Sequence, residues 1–393
     1  MAIARAVLRK REEHRVAAGH LWVFSNEIGE IRGTPQAGDV VEILSHGGKF
    51  LGLGFYNPNS LIAVRLLTRQ KEEIAFDFFR KRVEAATILR RKLYGDADSC
   101  RLVHGESDFL PGLIVDKYGE HFCIQTLSAG MDRNLPVLCD VLESLFRPKG
   151  IIERNDTPLR SHEGLPQKKG LLQGAGGEVV ISENGIRYSV NLLEGQKTGF
   201  FLDQRENRLA VRRYAGGDVL DCFCNDGGFA LNAASSGASR CVGVDSSEGA
   251  CLRGRRNAEL NGLDNRVDFL KADVFEYLDQ CLREKRKWDL IVLDPPSFTK
   301  SKKSIPQAKV GYRRINSAAL TLVKPGGVLA TASCSHHIEE EAFLDLVSQC
   351  ARMTGKTIRL LELLGASPDH PVLPEMPETR YLKFCIFHVC QEK

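Results

Sequence analysis

Hydrophobic and polar positions follow two different periods along this chain, and the longest regular pattern lies in its second half. There, short apolar runs typical of buried strands alternate with amphipathic segments of helical period. Such alternation predicts a doubly wound, mainly parallel α/β sheet of Rossmann-like type over residues 186–393. Two of its predicted strands begin at Asp218 and at Cys241. The others are Val267–Lys271, Trp288–Leu293, Gly327–Ala332, residues 357–364 and residues 381–389.

Residues 1–70 contain shorter runs of period two that are bounded by turn residues. The predicted strands are Val40–Leu44, Phe50–Tyr56 and Leu61–Leu66. This spacing predicts a small β-barrel, a fold that often binds RNA. Its aromatic residues are either stacking partners for bases or members of the core. They are Trp22, Phe24 and Tyr56.

The middle of the chain, residues 71–185, predicts a central α+β domain. Residues 71–95 have helical spacing, and the basic residues of this helix either form a solvated face or contact phosphate. These residues are Arg80, Lys81, Arg82, Arg90, Arg91 and Lys92. A second helix is predicted at Asp132–Leu145, a loop at Ser161–Gly177, and a hairpin turn at Asn184-Gly185.

A candidate ligand loop joins the first strand of the α/β domain to its first helix. Gly227 and Gly228 let the backbone approach a ligand closely, and Asp245 ends the next strand, where an acid can accept from both hydroxyls of a ribose. The dinucleotide pattern G-x-G-x-x-G is absent, and the loop acids Asp221 and Asp226 would repel phosphate. A cationic nucleoside without phosphate fits better, and S-adenosylmethionine has this chemistry. The alternative is a turn that binds nothing.

Three further polar positions follow strands of the same sheet, at the edge where its ligands collect. Asp273 either accepts from an adenine amino group or caps the helix that follows it. Asp294, followed by Pro295 and Pro296, either holds a planar base or belongs to a rigid turn. Cys334 lies among serine and histidine residues and is the candidate nucleophile. Its alternatives are a structural thiol and a zinc site with the adjacent histidines, for which no fourth ligand is evident.

The segment Ser297–Arg314 follows the Asp294 motif, lies between it and Cys334, and contains no acid. It is predicted to be a flexible loop and carries Lys300, Lys302, Lys303, Lys309, Arg313 and Arg314. Basic residues beside a reaction centre favour contact with RNA phosphates over a merely solvated loop.

Composition narrows the class of protein and its compartment. Hydrophobic residues make up 43% of the chain and the net charge is +4, which fits a globular protein and permits an RNA partner. The 12 cysteines form no C-x-x-C pair, and neither a signal peptide nor an apolar run of membrane-spanning length is recognisable. We therefore expect a cytoplasmic protein with reduced thiols and no membrane partner.

Together these motifs resemble the class I S-adenosylmethionine-dependent RNA methyltransferases, in particular the rRNA cytosine-C5 enzymes with an N-terminal PUA domain. The resemblance extends over nearly the whole chain. It is carried by Phe55–Ser60 in the PUA-like part, Lys197–Arg205 before the catalytic domain, the cofactor loop Asp221–Phe229, the target-base motif Asp294-Pro295-Pro296 and the nucleophile motif Ser333-Cys334-Ser335. Many RNA cytosine-C5 enzymes carry a second cysteine where Pro295 and Pro296 stand here, so the group that releases the product stays undetermined.

The resemblance implies formation of 5-methylcytidine in large-subunit ribosomal RNA, with S-adenosylmethionine as methyl donor and no metal. Cys334 would attack C6 of the base, and Asp294 would hold the base. The implied cofactor-binding residues are Phe200, Asp203, Arg205, Asp221, Phe223, Asn225, Gly227, Asp245, Asp273 and Asp294. The alternatives are methylation of an exocyclic amine or a purine nitrogen, and a non-catalytic role in RNA binding or ribosome assembly. A homodimer is left open.

Overall fold

Separate segments of the chain build each of its two units. The structure, a computed structural model, describes residues 3–299 and 301–390. The first unit consists of Met1–Ile181, Val190–Asp203 and Pro368–Thr379, and the second of Ser182–Ser189, Gln204–Ser367 and Arg380–Lys393. The three domains expected from the sequence, 1–70, 71–185 and 186–393, stay a prediction.

Two sheets form the framework of the first unit. Their strands are β1 Ala4–Leu8, β2 Trp22–Val23, β3 Ile28–Arg32, β4 Val40–Leu44, β5 Phe50–Tyr56, β6 Val64–Thr68, β7 Ser99–His104, β8 Leu113–Tyr118, β9 His121–Thr126, β10 Gly150–Asn155 and β11 Lys168–Gly174. Hydrogen bonding orders them as β2-β6-β5-β4-β1-β3 and as β11-β10-β9-β8-β7. The helices of this unit are α1 His14–Ala17, α2 Phe76–Tyr94, α3 Ala129–Arg133 and α4 Leu135–Phe146.

A hairpin follows β11, and its turn is the one predicted from the sequence. Its strands are β12 Glu178–Glu183 and β13 Ile186–Asn191. Between them, Asn184 and Gly185 have φ angles of 52° and 79°. Two consecutive left-handed residues are what a two-residue type I′ turn requires, and Asn-Gly meets that requirement with little strain.

One sheet with helices beside it forms the second unit, as the alternating sequence pattern predicts. Its strands are β14 Asp218–Cys222, β15 Arg240–Asp245, β16 Val267–Lys271, β17 Trp288–Leu293, β18 Val323–Ser333, β19 Ile358–Leu364 and β20 Lys383–Val389. Their order is β16-β15-β14-β17-β18-β20-β19, and β20 runs antiparallel to both of its neighbours. The helices are α5 Arg205–Arg212, α6 Gly228–Ser235, α7 Glu248–Leu260, α8 Val274–Arg283, α9 Ile305–Leu322 and α10 Glu340–Met353. The prediction of a doubly wound, mainly parallel sheet is confirmed.

Several local predictions differ from the structure for identifiable physical reasons. The predicted loop Ser161–Gly177 contains β11, whose exposed edge position leaves no alternating apolar face to recognise. The single helix predicted at Asp132–Leu145 is divided at Asn134, and Pro136 stands in the first turn of the second piece. Arg90, predicted on a polar helix face, is buried in the structure. Its charge is compensated there because both carboxylate oxygens of Asp108 accept from its guanidinium.

A buried carboxylate connects distant parts of the first unit. Glu163 accepts from the side chains of Asn57 at 2.9 Å, Ser60 at 2.7 Å and Arg65 at 2.9 Å. The backbone N–H of Ala129 also donates to it, at 3.3 Å. Asn57 and Ser60 belong to the motif that resembles the PUA domains. In this structure their polar side chains hold the first sheet against the segment that carries Glu163.

We expect Glu163→Ala to destabilise the protein by about 3 kcal/mol, because a largely buried guanidinium loses one of its two carboxylate partners and two buried polar side chains lose an acceptor. The midpoint of urea-induced unfolding should fall accordingly. Glu120→Ala is the matched control, since Glu120 is exposed and pairs with the exposed Lys149. Its effect should stay within about 0.5 kcal/mol. Equal unfolding midpoints for the two variants would contradict the role assigned to Glu163.

Candidate active site

The loop between β14 and α6 has an unusual backbone, with left-handed conformations at alternate residues. The φ angles are 64° at Phe223, 45° at Asn225 and 84° at Gly227. A Cβ atom on Gly227 would lie 2.4 Å from the ring of Phe269, so this position accepts no side chain. The loop is tied down by backbone N–H groups of Phe223 and Cys224, which both donate to the carbonyl of Val244. Strain of this kind is concentrated at functional sites.

Asp221, at the end of β14, is fully buried and only partly satisfied. One carboxylate oxygen accepts from the N–H of Ala230 at 2.9 Å, while the other has no hydrogen-bond partner among the described residues. Burial raises the pKa of Asp221 well above its usual range, and the nearby carboxylates of Asp294 and Asp245 raise it further. A cation placed here would lower this pKa and remove the energetic penalty.

Asp245, at the end of β15, holds the same loop from the other side. Its carboxylate oxygens accept from the backbone N–H of Asn225 at 3.1 Å and of Ser247 at 2.8 Å. Each carboxylate oxygen can accept more than one hydrogen bond, so Asp245 keeps capacity for ligand hydroxyls. The side chain is half-buried, which leaves it accessible from the edge of the sheet.

Two other acids of this edge already have protein partners. Asp226 accepts from the guanidinium of Arg253 on α7 at 2.7 Å, so its charge is compensated inside the protein. Asp273 is the N-cap of α8 and accepts from the N–H of Glu276 at 3.1 Å. The capping role considered for Asp273 is therefore present, and contact with an adenine stays a prediction.

Asp294, which follows β17, is oriented by a side chain that the sequence analysis did not single out. Gln204 donates to Asp294 Oδ1 at 2.9 Å and accepts in turn from Asn207 at 2.6 Å. Gln204 is the residue that precedes α5, and it is 3% exposed. The polar run before α5 was the one sequence feature that could have pointed to Gln204. No local pattern indicated that its partner is 90 residues away.

Cys334 follows β18, the strand beside β17, and lies against the proline loop of the target-base motif. Its thiol is 3.9 Å from the carbonyl oxygen of Pro295 and is half-buried. Cys334 and Asp294 therefore share one end of two adjacent strands, as the sequence predicts. In the described part of the chain, no cysteine forms a disulfide.

Hydroxyl groups connect the segments that carry Asp294 and Cys334. Ser297 and Ser335 are joined by their side-chain oxygens at 3.0 Å, and Ser335 and Tyr312 at 3.1 Å. Ser333 donates to the Tyr312 hydroxyl at 3.0 Å. Burial raises the pKa of Tyr312 to about 12, so this hydroxyl stays protonated at neutral pH. No sequence pattern indicated this network, although serines stand on both sides of Cys334.

The segment before α5 divides between the two units. Arg205 and Arg208 are both buried in the second unit, where Glu183 accepts from Arg205 at 3.3 Å and from Arg208 at 2.8 Å. In the first unit, Asp203 pairs with Lys197 at 3.0 Å. Phe200 also lies in the first unit, where its N–H donates to a tyrosine hydroxyl at 3.1 Å. Cofactor contacts of Phe200, Asp203 and Arg205 stay predictions.

Aromatic rings line the site from the ligand loop to α9. Phe223 contacts Phe275 with ring centroids 6.5 Å apart, and Phe275 contacts Phe298 at 6.1 Å. Phe298 contacts Tyr312 at 4.8 Å. These contacts join the loop, α8 and the segment after the target-base motif in one packed row of rings.

The basic segment is not a flexible loop throughout. Helix α9 begins at Ile305, with Pro306 in its first turn, so the loop predicted for Ser297–Arg314 is wrong over its second half. Proline tolerates this position because its missing N–H has no acceptor within the helix. Arg314 is already paired with Asp279 at 2.8 Å.

Two of the lysines named for RNA contact can be placed. Lys303 is exposed and Lys309 is half-buried. Lys300 and the side chain of Lys302 lie outside the described residues. Lys303 and Lys309 therefore test the predicted phosphate contacts most directly.

Residues 3–299 and 301–390 contain neither a cluster of metal-binding side chains nor a membrane-spanning helix. No group of three or more His, Cys, Asp and Glu side chains there could hold a metal ion. No helix in the same residues is both long and apolar enough to cross a membrane.

The residues at the sheet edge fit the cationic nucleoside expected from the sequence. Asp221 and Asn225 each present a buried side-chain oxygen without a partner among the described residues. Gly227 is required by its left-handed backbone and by the Phe269 ring that a Cβ atom would meet, and Asp245 keeps acceptor capacity that would suit ribose hydroxyls. S-adenosylmethionine offers an ammonium, an adenine with an amino group and two ribose hydroxyls, and it brings no phosphate to meet the acids.

Comparison with known proteins identifies the same two parts. Residues 171–387 match a family model described as S-adenosylmethionine-dependent methyltransferase, and residues 6–69 match a PUA-like domain. A Tolumonas auensis protein named ribosomal RNA large subunit methyltransferase I is 40% identical over 96% of this chain and 97% of its own length. The protein of that name from Aeromonas hydrophila is 41% identical over 97% and 98%.

Solved structures show the same fold at lower identity. A SAM-dependent methyltransferase from Streptococcus mutans superposes with a TM-score of 0.83 at 22% identity, covering 99% of this chain and 100% of that one. A methyltransferase complexed with SAH gives 0.85 at 21% identity, with the same coverage.

We expect Asp245→Ala to weaken S-adenosylmethionine binding by about 10- to 100-fold, because a charged acceptor for the ribose and the loop's hydrogen bond from Asn225 are lost together. Isothermal titration calorimetry measures this directly. Asp268→Ala is the control, since Asp268 is an exposed acid on the neighbouring β16 that pairs with Arg240. Unchanged affinity in Asp245→Ala would remove Asp245 from the site.

Proposed function

This chain belongs to the ribosomal RNA large subunit methyltransferase I family of S-adenosylmethionine-dependent methyltransferases, and we propose that it methylates C5 of a cytidine in large-subunit ribosomal RNA. One observation carries the proposal: a cysteine and an acid stand at the same ends of two adjacent strands, beside the cofactor loop. Cys334 and Asp294 occupy these positions, with the Cys334 thiol 3.9 Å from the carbonyl of Pro295. The proposed substrate also supports the cytoplasmic location expected from the cysteines.

The chemical difficulty of this reaction is that C5 of cytosine is a poor nucleophile. In the proposed mechanism the Cys334 thiolate adds to C6, and the electrons of the C5=C6 bond become available at C5. S-adenosylmethionine, when bound, supplies an electrophilic methyl group that C5 can accept. Removal of the C5 proton then restores the C5=C6 bond and expels the Cys334 thiolate.

Asp294 holds the base during these steps. Its carboxylate offers an acceptor for a donor group of the base, and Gln204 keeps it oriented. A carboxyl group beside N3 can stabilise the charge that develops there as the thiolate adds. The stiff Pro295-Pro296 backbone adds a carbonyl that can accept from the exocyclic amine. A base within folded RNA must be turned out of its stack to reach these groups.

We expect Cys334→Ala to abolish methyl transfer while S-adenosylmethionine binding stays within about twofold, because the thiol acts only on the base. With S-adenosylmethionine present, large-subunit ribosomal RNA transcribed with 5-fluorocytidine should trap the unmodified enzyme as a covalent adduct, since after methyl transfer C5 carries fluorine in place of the proton whose removal would expel the thiolate. Denaturing gel electrophoresis detects the adduct, which the variant should not form.

Cys390→Ala is the matched control for this experiment. Cys390 is also half-buried but lies after the far end of β20. It should retain both turnover and trapping. Substantial turnover by Cys334→Ala would overturn the C5 assignment and favour methylation of an exocyclic amine, a reaction that Asp294 and the Pro295 carbonyl could support without a nucleophile.

We also expect the affinity for RNA to depend steeply on salt, because phosphate contacts release counterions. Replacing Lys303 and Lys309 together by glutamine should reduce the slope of log K against log salt by about 1.4, or 0.7 for each contact to a single strand. Filter binding between 50 and 300 mM salt, at about six concentrations, measures the slope. Lys287→Gln is the control, since Lys287 precedes β17 at the opposite edge of the sheet. An unchanged slope in the double variant would show that these lysines do not contact phosphate.

A further inference from the structure

A buried lysine lies beside the nucleophile motif and has no part in the chemistry described so far. Lys383 is the first residue of β20, where its backbone pairs with Ser333, and it is 4% exposed. Its ammonium donates to the carbonyl of Ser335 at 2.7 Å and to that of Tyr381 at 2.9 Å. The side chain therefore runs along the segment that holds Cys334, from the residue before the cysteine to the residue after it.

A buried ammonium is costly, and bonding two carbonyls does not require its charge. Burial lowers the pKa of Lys383 to about 8, and the Cys334 thiol is the first of the groups that act in the opposite direction. A neutral amide side chain could donate to a backbone carbonyl without the desolvation penalty of a cation. An ammonium has three N–H groups, and two of them have acceptors among the described residues. The third has no acceptor among the described residues, and Lys383 interacts electrostatically with Cys334.

We propose that Lys383 is a positioning residue that stabilises the thiolate of Cys334 and holds it in place for attack on the base. The proposal rests on the function proposed above, since a thiolate is required only if Cys334 is the nucleophile. When the thiol ionises, its proton passes to solvent and the electron pair stays on Sγ beside the ammonium. That pair then forms the bond to C6, and Lys383 keeps its proton throughout.

The surroundings of Cys334 leave Lys383 as the group suited to this role. Asp294 on the β17 side is negative and would disfavour a thiolate, and Tyr312 on α9 is neutral. The other titratable groups nearby are Arg380 and Tyr381 before β20, His336 and His337 after the cysteine, and Glu339 and Glu340 at the start of α10. Arg380 is exposed and already paired with Glu340. Among these described groups, Lys383 is the buried cation.

Alkylation of Cys334 by iodoacetamide tests the proposal without RNA or cofactor. The rate follows the thiolate fraction, so its dependence on pH reports the thiol pKa. Unmodified protein should show an apparent pKa below the ordinary thiol value of about 8.5. In Lys383→Met this pKa should rise by about one unit, and the rate at pH near 7.5 should fall about tenfold. Lys383→Arg keeps the charge and should keep most of the rate.

Cys390 serves as the internal control in the same samples. Mass analysis of the peptides separates it from Cys334, and its alkylation rate should not respond to either substitution. Lys383→Gln repeats the neutral variant with a donor retained, in case the apolar side chain prevents folding. Normal S-adenosylmethionine binding confirms that a variant is folded. An equal Cys334 alkylation profile in unmodified protein and in both neutral variants would overturn the inference.

Single-turnover methyl transfer connects this result to the reaction. In Lys383→Met the rising limb of the pH–rate profile should move to higher pH, while the affinities for RNA and cofactor stay the same. Lys383→Arg should restore the limb and Lys383→Gln should not, whereas a merely structural contact to the two carbonyls would be restored by either donor. The two proposals fail separately. Turnover by Cys334→Ala overturns the proposed reaction. If Cys334→Ala is inactive but Cys334 is alkylated at the unchanged rate in the neutral Lys383 variants, only the role of Lys383 is overturned.

Discussion

The parallel register of four strands is the constraint on which the second unit depends. β15, β14, β17 and β18 lie side by side and run in one direction, so their last residues must meet at one edge. Each of these ends carries a polar group: Asp245, Asp221, Asp294 and Cys334. A register shift of two residues in any strand would keep its apolar face buried and yet move its polar group by roughly 7 Å. The buried core of aliphatic and aromatic side chains therefore determines the geometry of the chemistry as well as the stability.

The sequence was informative wherever a residue's role depends on its position relative to its own strand. Asp221, Asp245, Asp294 and Cys334 could be assigned to one edge because each follows an apolar run, and chain order places these runs in a parallel sheet. The hairpin at Asn184-Gly185 was predictable for a similar reason, since the turn chemistry is contained in two residues. The family resemblance added the substrate class, which no single pattern could supply, and agreed with the cofactor that the chemistry of the loop indicated.

The sequence was less informative where a role depends on a distant partner. Asp226 and Asp221 look alike in the loop, yet Arg253 compensates the charge of Asp226 while Asp221 keeps an oxygen without a partner among the described residues. Gln204 and Lys383 acquire their roles from contacts 90 and 48 residues away. The start of α9 was missed because its lysines and proline are typical of loops, although proline suits the first turn of a helix.

The position of β20 between β18 and β19 has a consequence for synthesis of the protein on the ribosome. β18 can pair with β17 as soon as both have emerged, but its other edge waits until residues beyond Lys383 have been translated. Until then the strand that ends at Cys334 has an open edge, and its thiol has no ammonium beside it. Under the role proposed for Lys383, completion of the sheet and activation of the cysteine are coupled in time, and a nascent chain carries no activated thiol before β20 is in place.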